Sequence, residues 1–404
     1  MELSEVDVYN ADNFVAGVPH DMFETLRREA PVFEHPHPSG VPFWCVTRHE
    51  DLVAINRDAA TWSSWRGGAL LETPQAEQLE MTRMIMLNMD APEHTKLRKV
   101  VNKGFTPKMI RGLMDHLAEE SRAIVERVAE QGRFDFVEEV AAELPLIAIA
   151  EFLGVPREDR KIIFELSNRL IGFEDPEFNT SAEDGAAASA DMFAYAQELA
   201  AHKRVHPGDD IATTLLAAEV DGDRLADMDF NLFFLLLAVA GNETTRNAIS
   251  HGMLALLENP DERRALAADP SLLDGAVEEI LRWASPVMQF RRTATRDTEI
   301  RGVPVAEGDR VVFWHISANR DEAVFDDPYT FDVRRSPNAH TASHIAFGGG
   351  GPHFCLGANL ARAEIKVLFE ALLARLPDLE PAGPVRRLRS NFINGIKEMQ
   401  VAVP

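Results

Sequence analysis

The chain is poor in cysteine, with only Cys45 and Cys355 in 404 residues. Two thiols build no disulfide framework, which excludes the small, stapled secreted folds. Positive charge is also scarce: 41 lysines and arginines stand against 65 acids, for a formal net charge of −24. That balance argues against broad binding to nucleic acid or anionic lipid. Long apolar runs are missing as well. The longest, "LFFLLLAVAG" from Leu232 to Gly241, is about half of the roughly 20 residues that a membrane span needs. Asp227 and Asp229 just before it suit the first turn of a buried helix. The opening "MELSEVDVYNADNFVAGVPH" lacks the basic flank and apolar core of a secretion signal. The expectation is a cytoplasmic protein that is not integral to a membrane.

What is present is an ordinary globular composition, 46% apolar and 26% charged, with no repeat or low-complexity linker. Helical periodicity dominates, as in "LMDHLAEESRAIVERVAEQG" and "AEIKVLFEALLARLPD". Strand-like runs occur at 43–49, 298–317 and 391–403, the second broken by Gly-Val-Pro and Glu-Gly-Asp turns. Strands so far apart in sequence suggest one shared sheet. The expected fold is mainly α with a minor β-sheet region. The chain then reads as a single domain, 1–404, with a small β-rich lobe from parts of 41–62, 288–317 and 385–404.

The stretch "FGGGGPHFCLGANLARAEIKVLF" sets four glycines before Cys355 and a strongly periodic helix. It is no P-loop, since no Gly-Lys-Ser/Thr follows. Nor is it a dinucleotide fingerprint, since the strand–turn–helix unit and the ribose-binding acid are not evident. A structural cysteine behind a flexible loop is the bland alternative. Against it, a cysteine at a helix N-terminus faces the positive end of the dipole, which favours thiolate. A thiolate inside an apolar protein needs a cation, and iron in a planar macrocycle would serve. Glycines would let the backbone approach such a flat face.

This stretch resembles the haem-binding loop of the cytochrome P450 superfamily, the haem-thiolate monooxygenases. The distance from Phe347 to Cys355 is one residue longer than the commonest pattern, as in some bacterial members. The resemblance implies the P450 fold, a triangular prism with haem between a distal and a proximal helix. It makes Cys355 the iron ligand, with Phe347 shielding the sulfur, His353 reaching a haem propionate, and Gly348 and Gly357 close to the ring. "AGNETTRN" resembles the oxygen-activation motif. Ala240 and Gly241 then lie by the haem, and Glu243 and Thr244 form the acid–alcohol pair that relays protons. A helix end capped by these polar residues is the alternative, but apolar helical pattern continues on both sides.

Other segments resemble the family in the same order along the chain. "EHTKLRK" places His94 and Arg98 a turn apart, and "FRRTA" offers Arg292, all three for the propionates. "EEILRWASP" supplies the structural pair Glu279 and Arg282, with Arg334 of "DDPYTFDVRR" as the arginine that completes it. Phe234, Leu237, Val287, Met288 and Phe290 would line an apolar pocket. Lys96, Lys99, Lys103, Arg362 and Lys366 form either a basic docking patch or a plain solvated face. Cys45, in a strand pattern, reads as core.

The resemblance implies a monooxygenase that inserts one atom of O2 into an unactivated C–H bond. Haem b is the cofactor, O2 a co-substrate, and NAD(P)H acts indirectly through ferredoxin and ferredoxin reductase. The wording of the two motifs is similar to the actinobacterial subgroup that hydroxylates terminal methyls of methyl-branched lipids and sterol side chains. Terpenoid, fatty-acid or aromatic substrates are the alternatives, as are a peroxide-using hydroxylase and a haem-bearing binding protein without turnover. The intact Glu243–Thr244 pair favours oxygen activation over both of the last two.

Overall fold

The computed structural model describes residues 1–171, 175, 177, 182–220, 222–335 and 344–404. Helices account for most of it, as the periodicity predicts, and the described residues fall into two compact units.

The first unit comprises Met1–Thr95, Leu281–Cys355 and Arg387–Gly395. Its centre is a five-stranded sheet in the order Val32–His35, Phe43–Val46, Arg310–Trp314, Gln289–Ala294, Trp62–Ser63. Phe43–Val46 runs parallel to Arg310–Trp314, and the remaining pairs are antiparallel. Its two faces are both covered. Phe14, Phe23, Cys45, Met288 and Trp314 pack on one side, and Val46, Leu52, Val311 and Phe313 on the other. Such double coverage explains why the central strand Arg310–Trp314 is buried at every position instead of alternating. The run from Phe43 stops as a strand at Val46, because Asp321 turns the chain into the helix His49–Arg57. Its carboxylate accepts the His49 N–H at 2.9 Å and pairs with Arg48 at 2.6 Å.

The second unit comprises Lys96–Ile280, Leu356–Arg386 and Ile396–Pro404. Its spine is the 32-residue helix Asp227–Glu258, with Asp227 and Asp229 in the first turn. Helices Glu143–Leu153, Arg160–Ile171 and Ala182–Val205 pack on this spine, and Ala358–Arg375 lies along Pro107–Ala129. Phe230, Phe233, Phe234 and Leu237 are all buried on it. Among the described residues no helix is long and apolar enough to cross a membrane.

The C-terminal strand departs from the expectation of one shared sheet. Ile396–Ala402 joins Glu380–Arg387 and Arg133–Asp135 in a separate three-stranded sheet. Residues just before it run along 286–288 in the first unit, with Met288 N–H donating to Phe392 O at 2.8 Å and Asn394 N–H to Pro286 O at 2.9 Å.

Arg282 is buried on the helix Leu273–Ala284. It donates to the carbonyls of Asn319 (2.9 Å), Pro328 (2.9 Å) and Thr330 (3.2 Å). Arg334, expected to join it, is exposed. Its neighbour Arg335 donates instead to Asp326 O at 2.6 Å and to Thr330 O at 2.9 Å, the carbonyl that Arg282 also uses. The third arginine of this network is therefore Arg335. Arg282→Leu would take the arginine donor from two buried carbonyls, Asn319 O and Pro328 O, and is expected to cost about 3 kcal/mol or more. It would be read as a lower urea midpoint and a lower yield of folded protein. An unchanged midpoint would mean that those carbonyls find other donors.

Candidate active site

The glycine run is conformationally obligatory. Gly348, Gly349, Gly350 and Gly351 have φ of +98°, +66°, +106° and +78°, a region that L-residues avoid. A Cβ on Gly351 would lie 1.9 Å from the carbonyl oxygen of Asn56, at the end of the helix His49–Arg57. The closest approach of these glycines is thus to another piece of backbone. The loop is pinned at its start by Ile345 N–H donating to Asn319 Oδ1 at 2.8 Å, and closed by Cys355 N–H donating to Phe347 O at 3.0 Å. Phe347 lies beside Phe354, ring centroids 6.4 Å apart.

The two cysteines have opposite environments. Cys45 is wholly buried, and burial pushes its thiol well above the ordinary range, so it is inert core as expected. Cys355 is exposed, two residues before Gly357, the N-cap of the helix Ala358–Arg375.

Three further predicted residues, His94, His353 and Arg292, belong to the first unit with Cys355, and Arg98 belongs to the second. His94 is buried on the helix Glu93–Val101, its ring 4.2 Å from that of His353. Ser64 Oγ lies 3.4 Å from His353 Nε2, and Asp90 accepts the Ser64 N–H at 2.8 Å. Arg98, half-buried, follows His94 by one turn. Arg292 is 4% exposed and makes one hydrogen bond, to Arg291 O at 2.8 Å. Burial pushes its guanidinium down to about 10, partly offset by the charge of Asp90. Among the described residues no carboxylate bonds to it. A desolvated cation short of an anion, in the unit that holds the paired imidazoles, fits a cofactor that carries carboxylates.

The second unit holds the acid and the alcohol. Both sit mid-helix, which excludes the helix-end alternative. Thr244 Oγ1 donates back to Ala240 O at 2.8 Å, leaving its lone pairs open. Glu243 is buried, and its Oε1 accepts from Asn247 Nδ2 at 2.8 Å and from Arg246. Ala240 is exposed and Gly241 and Thr244 are half-buried, on a helix otherwise buried along most of its length.

Not every predicted lining residue is free to line anything. Met288 belongs to the core with Phe23 and Trp314, and Phe234 packs against Tyr195 of the helix Ala182–Val205 at 6.0 Å. Leu237 is buried, while Val287 and Phe290 keep partial exposure. The basic residues after the cysteine are neutralised locally: Arg362 pairs with Glu278 at 2.5 Å and Lys366 with Asp274 at 2.7 Å. Lys103 Nζ donates to Glu219 O at 2.6 Å. Lys96 and Lys99 are exposed. Sequence reasoning missed Asn319, Ser64 and Asp90, whose roles depend on long-range contacts. It also missed Arg246 and Asn247, which lie three and four residues after Glu243 and were within reach of the helical-pair rule.

The family profile described as Cytochrome P450 matches residues 184–381. A steroid C26-monooxygenase of Rhodococcus jostii is 45% identical over 405 residues, covering 98% of this chain and 84% of that protein. A methyl-branched lipid omega-hydroxylase of Mycobacterium tuberculosis is 41% identical over 411 residues, covering 99% and 94%. A Mycobacterium marinum cytochrome P450 solved in complex with pseudoionone superposes with a TM-score of 0.91 at 40% identity, covering 98% of both chains. The chain belongs to the cytochrome P450 family. It is a P450 monooxygenase, and the family implies haem iron, O2, redox partners and a hydrophobic substrate.

Gly351→Ala meets both a left-handed backbone, worth about 1–2 kcal/mol, and a collision with Asn56 O. It is expected to lower the haem content of purified protein. Gly112→Ala, on the helix Pro107–Ala129 where an added Cβ meets nothing within 4 Å, should leave it unchanged. Equal haem content in both would show that the loop yields easily.

Proposed function

We propose that this enzyme hydroxylates a terminal methyl of a methyl-branched lipid or of a sterol side chain. The observation that carries this reading is the 45% identity, over nearly the whole chain, to a steroid C26-monooxygenase. The 41% identity to a methyl-branched lipid omega-hydroxylase supports it. A second reading, a small unsaturated ketone as substrate, is favoured by the relative solved with pseudoionone. Residues 1–404 are taken as one catalytic domain, cytoplasmic, reduced by a ferredoxin whose reductase draws on NAD(P)H.

In this reading the cofactor is haem b. Cys355 supplies the thiolate ligand, with Phe347, Gly348 and Gly357 beside it. His94, Arg98, Arg292 and His353 hold the propionates, and the nearly unpaired charge of Arg292 supports that assignment. Ala240 gives the flat ring a face with little bulk, whereas the bare face of Gly241, expected beside the ring, meets Ile149 of the helix Glu143–Leu153, 2.8 Å from where a Cβ would lie. Glu279, Arg282 and Arg335 are structural. Leu237, Val287 and Phe290 remain as lining, since Phe234 and Met288 are committed to core packing.

Bound haem iron supplies dioxygen activation; the chain's own residues supply position and protons. An apolar lining orients a substrate by excluded water and shape. Thr244 Oγ1 must release the Ala240 carbonyl to donate elsewhere, a rotation about one side-chain bond. Glu243 then replaces the proton that the hydroxyl gives up.

Three outcomes are expected. Reduced protein with carbon monoxide should show the red-shifted Soret band of a thiolate-ligated haem, and Cys355→Ala should abolish it. Thr244→Ala should keep haem and substrate binding yet lower product per O2 consumed about tenfold or more, measured as peroxide against alcohol. Incubation with ferredoxin, reductase and a panel of cholesterol, phytanic acid and pseudoionone should give terminal alcohols from the first two. Turnover of pseudoionone alone would favour the second reading.

A further inference from the structure

Glu243 is held by its own helix in a way that makes its two oxygens unequal. Oε1 accepts from Arg246 and from Asn247 Nδ2 at 2.8 Å. The same Nδ2 donates to Glu243 O at 2.9 Å, while Asn247 Oδ1 accepts the Ile396 N–H at 3.0 Å. Asn247 is 0% exposed and Glu243 3%. Oε2 is sealed from solvent and has no partner among the described residues. An ordinary surface ion pair would show neither burial nor an orphaned oxygen.

A carboxylate is an acceptor with lone pairs on both oxygens, and a free one exchanges them by a half-turn about its last bond. Here a half-turn re-forms the charge-assisted bond and the buried amide bond with the other, equivalent oxygen, so one oxygen is always held and one left open. Any orientation between the two loses both bonds and is opposed. Asn247 cannot follow such a motion, because its other end is fixed to the strand Ile396–Ala402.

We infer that Arg246 and Asn247 are positioning residues that lock Glu243 with one oxygen, here Oε1, occupied, so that proton exchange runs through the other, here Oε2, alone. This rests on the reading of Glu243 as the acid that re-supplies Thr244. Arg246 sets the charge and direction of the bond, and Asn247 keys the orientation to the C-terminal strand. Oε2, lacking a partner among the described residues, is the oxygen left to carry a proton and present it to a hydroxyl.

The test uses holoprotein with a surrogate ferredoxin and reductase, and cholesterol and phytanic acid as probes. Glu243→Gln, Asn247→Leu, Arg246→Leu, Arg246→Lys and the double variant Glu243→Gln/Asn247→Leu are compared with the wild type. Two quantities are read: product per O2 consumed, and the carboxylate stretch of Glu243 in infrared difference spectra against Glu243→Gln. Glu243→Gln should lower coupling about tenfold, with Asn247→Leu and Arg246→Leu each lowering it about three- to tenfold. Adding Asn247→Leu to Glu243→Gln should change nothing further, since the asparagine acts only through the acid. The Glu243 band should move in Asn247→Leu and Arg246→Leu and return toward its wild-type position in Arg246→Lys. Should Asn247→Leu fail to fold, the arginine variants decide by the same readouts. The infrared band decides if neither probe is turned over. Unaltered coupling in Glu243→Gln would remove the relay reading itself. A tenfold loss there, combined with an unmoved band in the Asn247 and Arg246 variants or an additive double variant, would overturn only the positioning inference.

Discussion

The cysteine loop depends on one buried guanidinium. Arg282 gathers the carbonyls of Asn319, Pro328 and Thr330, fixing an irregular segment that has no ladder of its own. Asn319 passes that constraint on. Its side chain donates to Ser285 Oγ at 2.8 Å and accepts the Ile345 N–H, the residue from which the glycine run starts. A loop of four left-handed residues has little intrinsic reason to hold one shape, because glycine is the residue with most conformations to lose. Its order is imported from Arg282 at one end and from the contact with Asn56 at the other.

That arrangement explains which parts of the molecule were legible in the sequence. Local geometry wrote itself plainly. Consecutive left-handed residues demand glycine, so "GGGG" marked an unusual loop before any contact was known. A polar cluster inside an apolar helix is costly, so "NETT" marked a site, and the unbroken helix Asp227–Glu258 agrees. Cys45 followed from its strand pattern. The five-stranded sheet was half visible, because its turns are local while its pairing of Phe43–Val46 with Arg310–Trp314 is not.

Errors arose where a choice between neighbours depended on tertiary direction. Arg334 and Arg335 are chemically identical in sequence, and only the turn through Asp332 decides that the second faces the carbonyls. Phe234 and Met288 were read as lining because both are apolar and near the right segments. Periodicity cannot tell a side chain facing a ligand from one facing another helix, and these two face Tyr195 and Trp314. The local ion pairs of the basic cluster were equally illegible: Arg362 and Lys366 find Glu278 and Asp274 only once two helices lie side by side. The C-terminal strand was recognised as a strand but assigned to the wrong sheet.

Three buried arginines show how far satisfaction separates scaffold from chemistry. Arg282 gives its donors to three carbonyls, and Arg291 gives its own to Leu71 O, Thr73 Oγ1 and Thr293 Oγ1. Both hold segments together, and their partners are all protein. Arg292, on the opposite face of the same strand, has one carbonyl and the face of Phe313 at 5.3 Å. Burying a charge so sparingly compensated is unfavourable unless something else completes it. The same contrast runs along the long helix, where Asn247 spends both ends of its amide while Glu243 keeps one oxygen unspent. Arg292, assigned to the cofactor, and Glu243, assigned to the proton, are thus the two whose polar atoms the described residues leave sparingly bonded, beside neighbours with more partners.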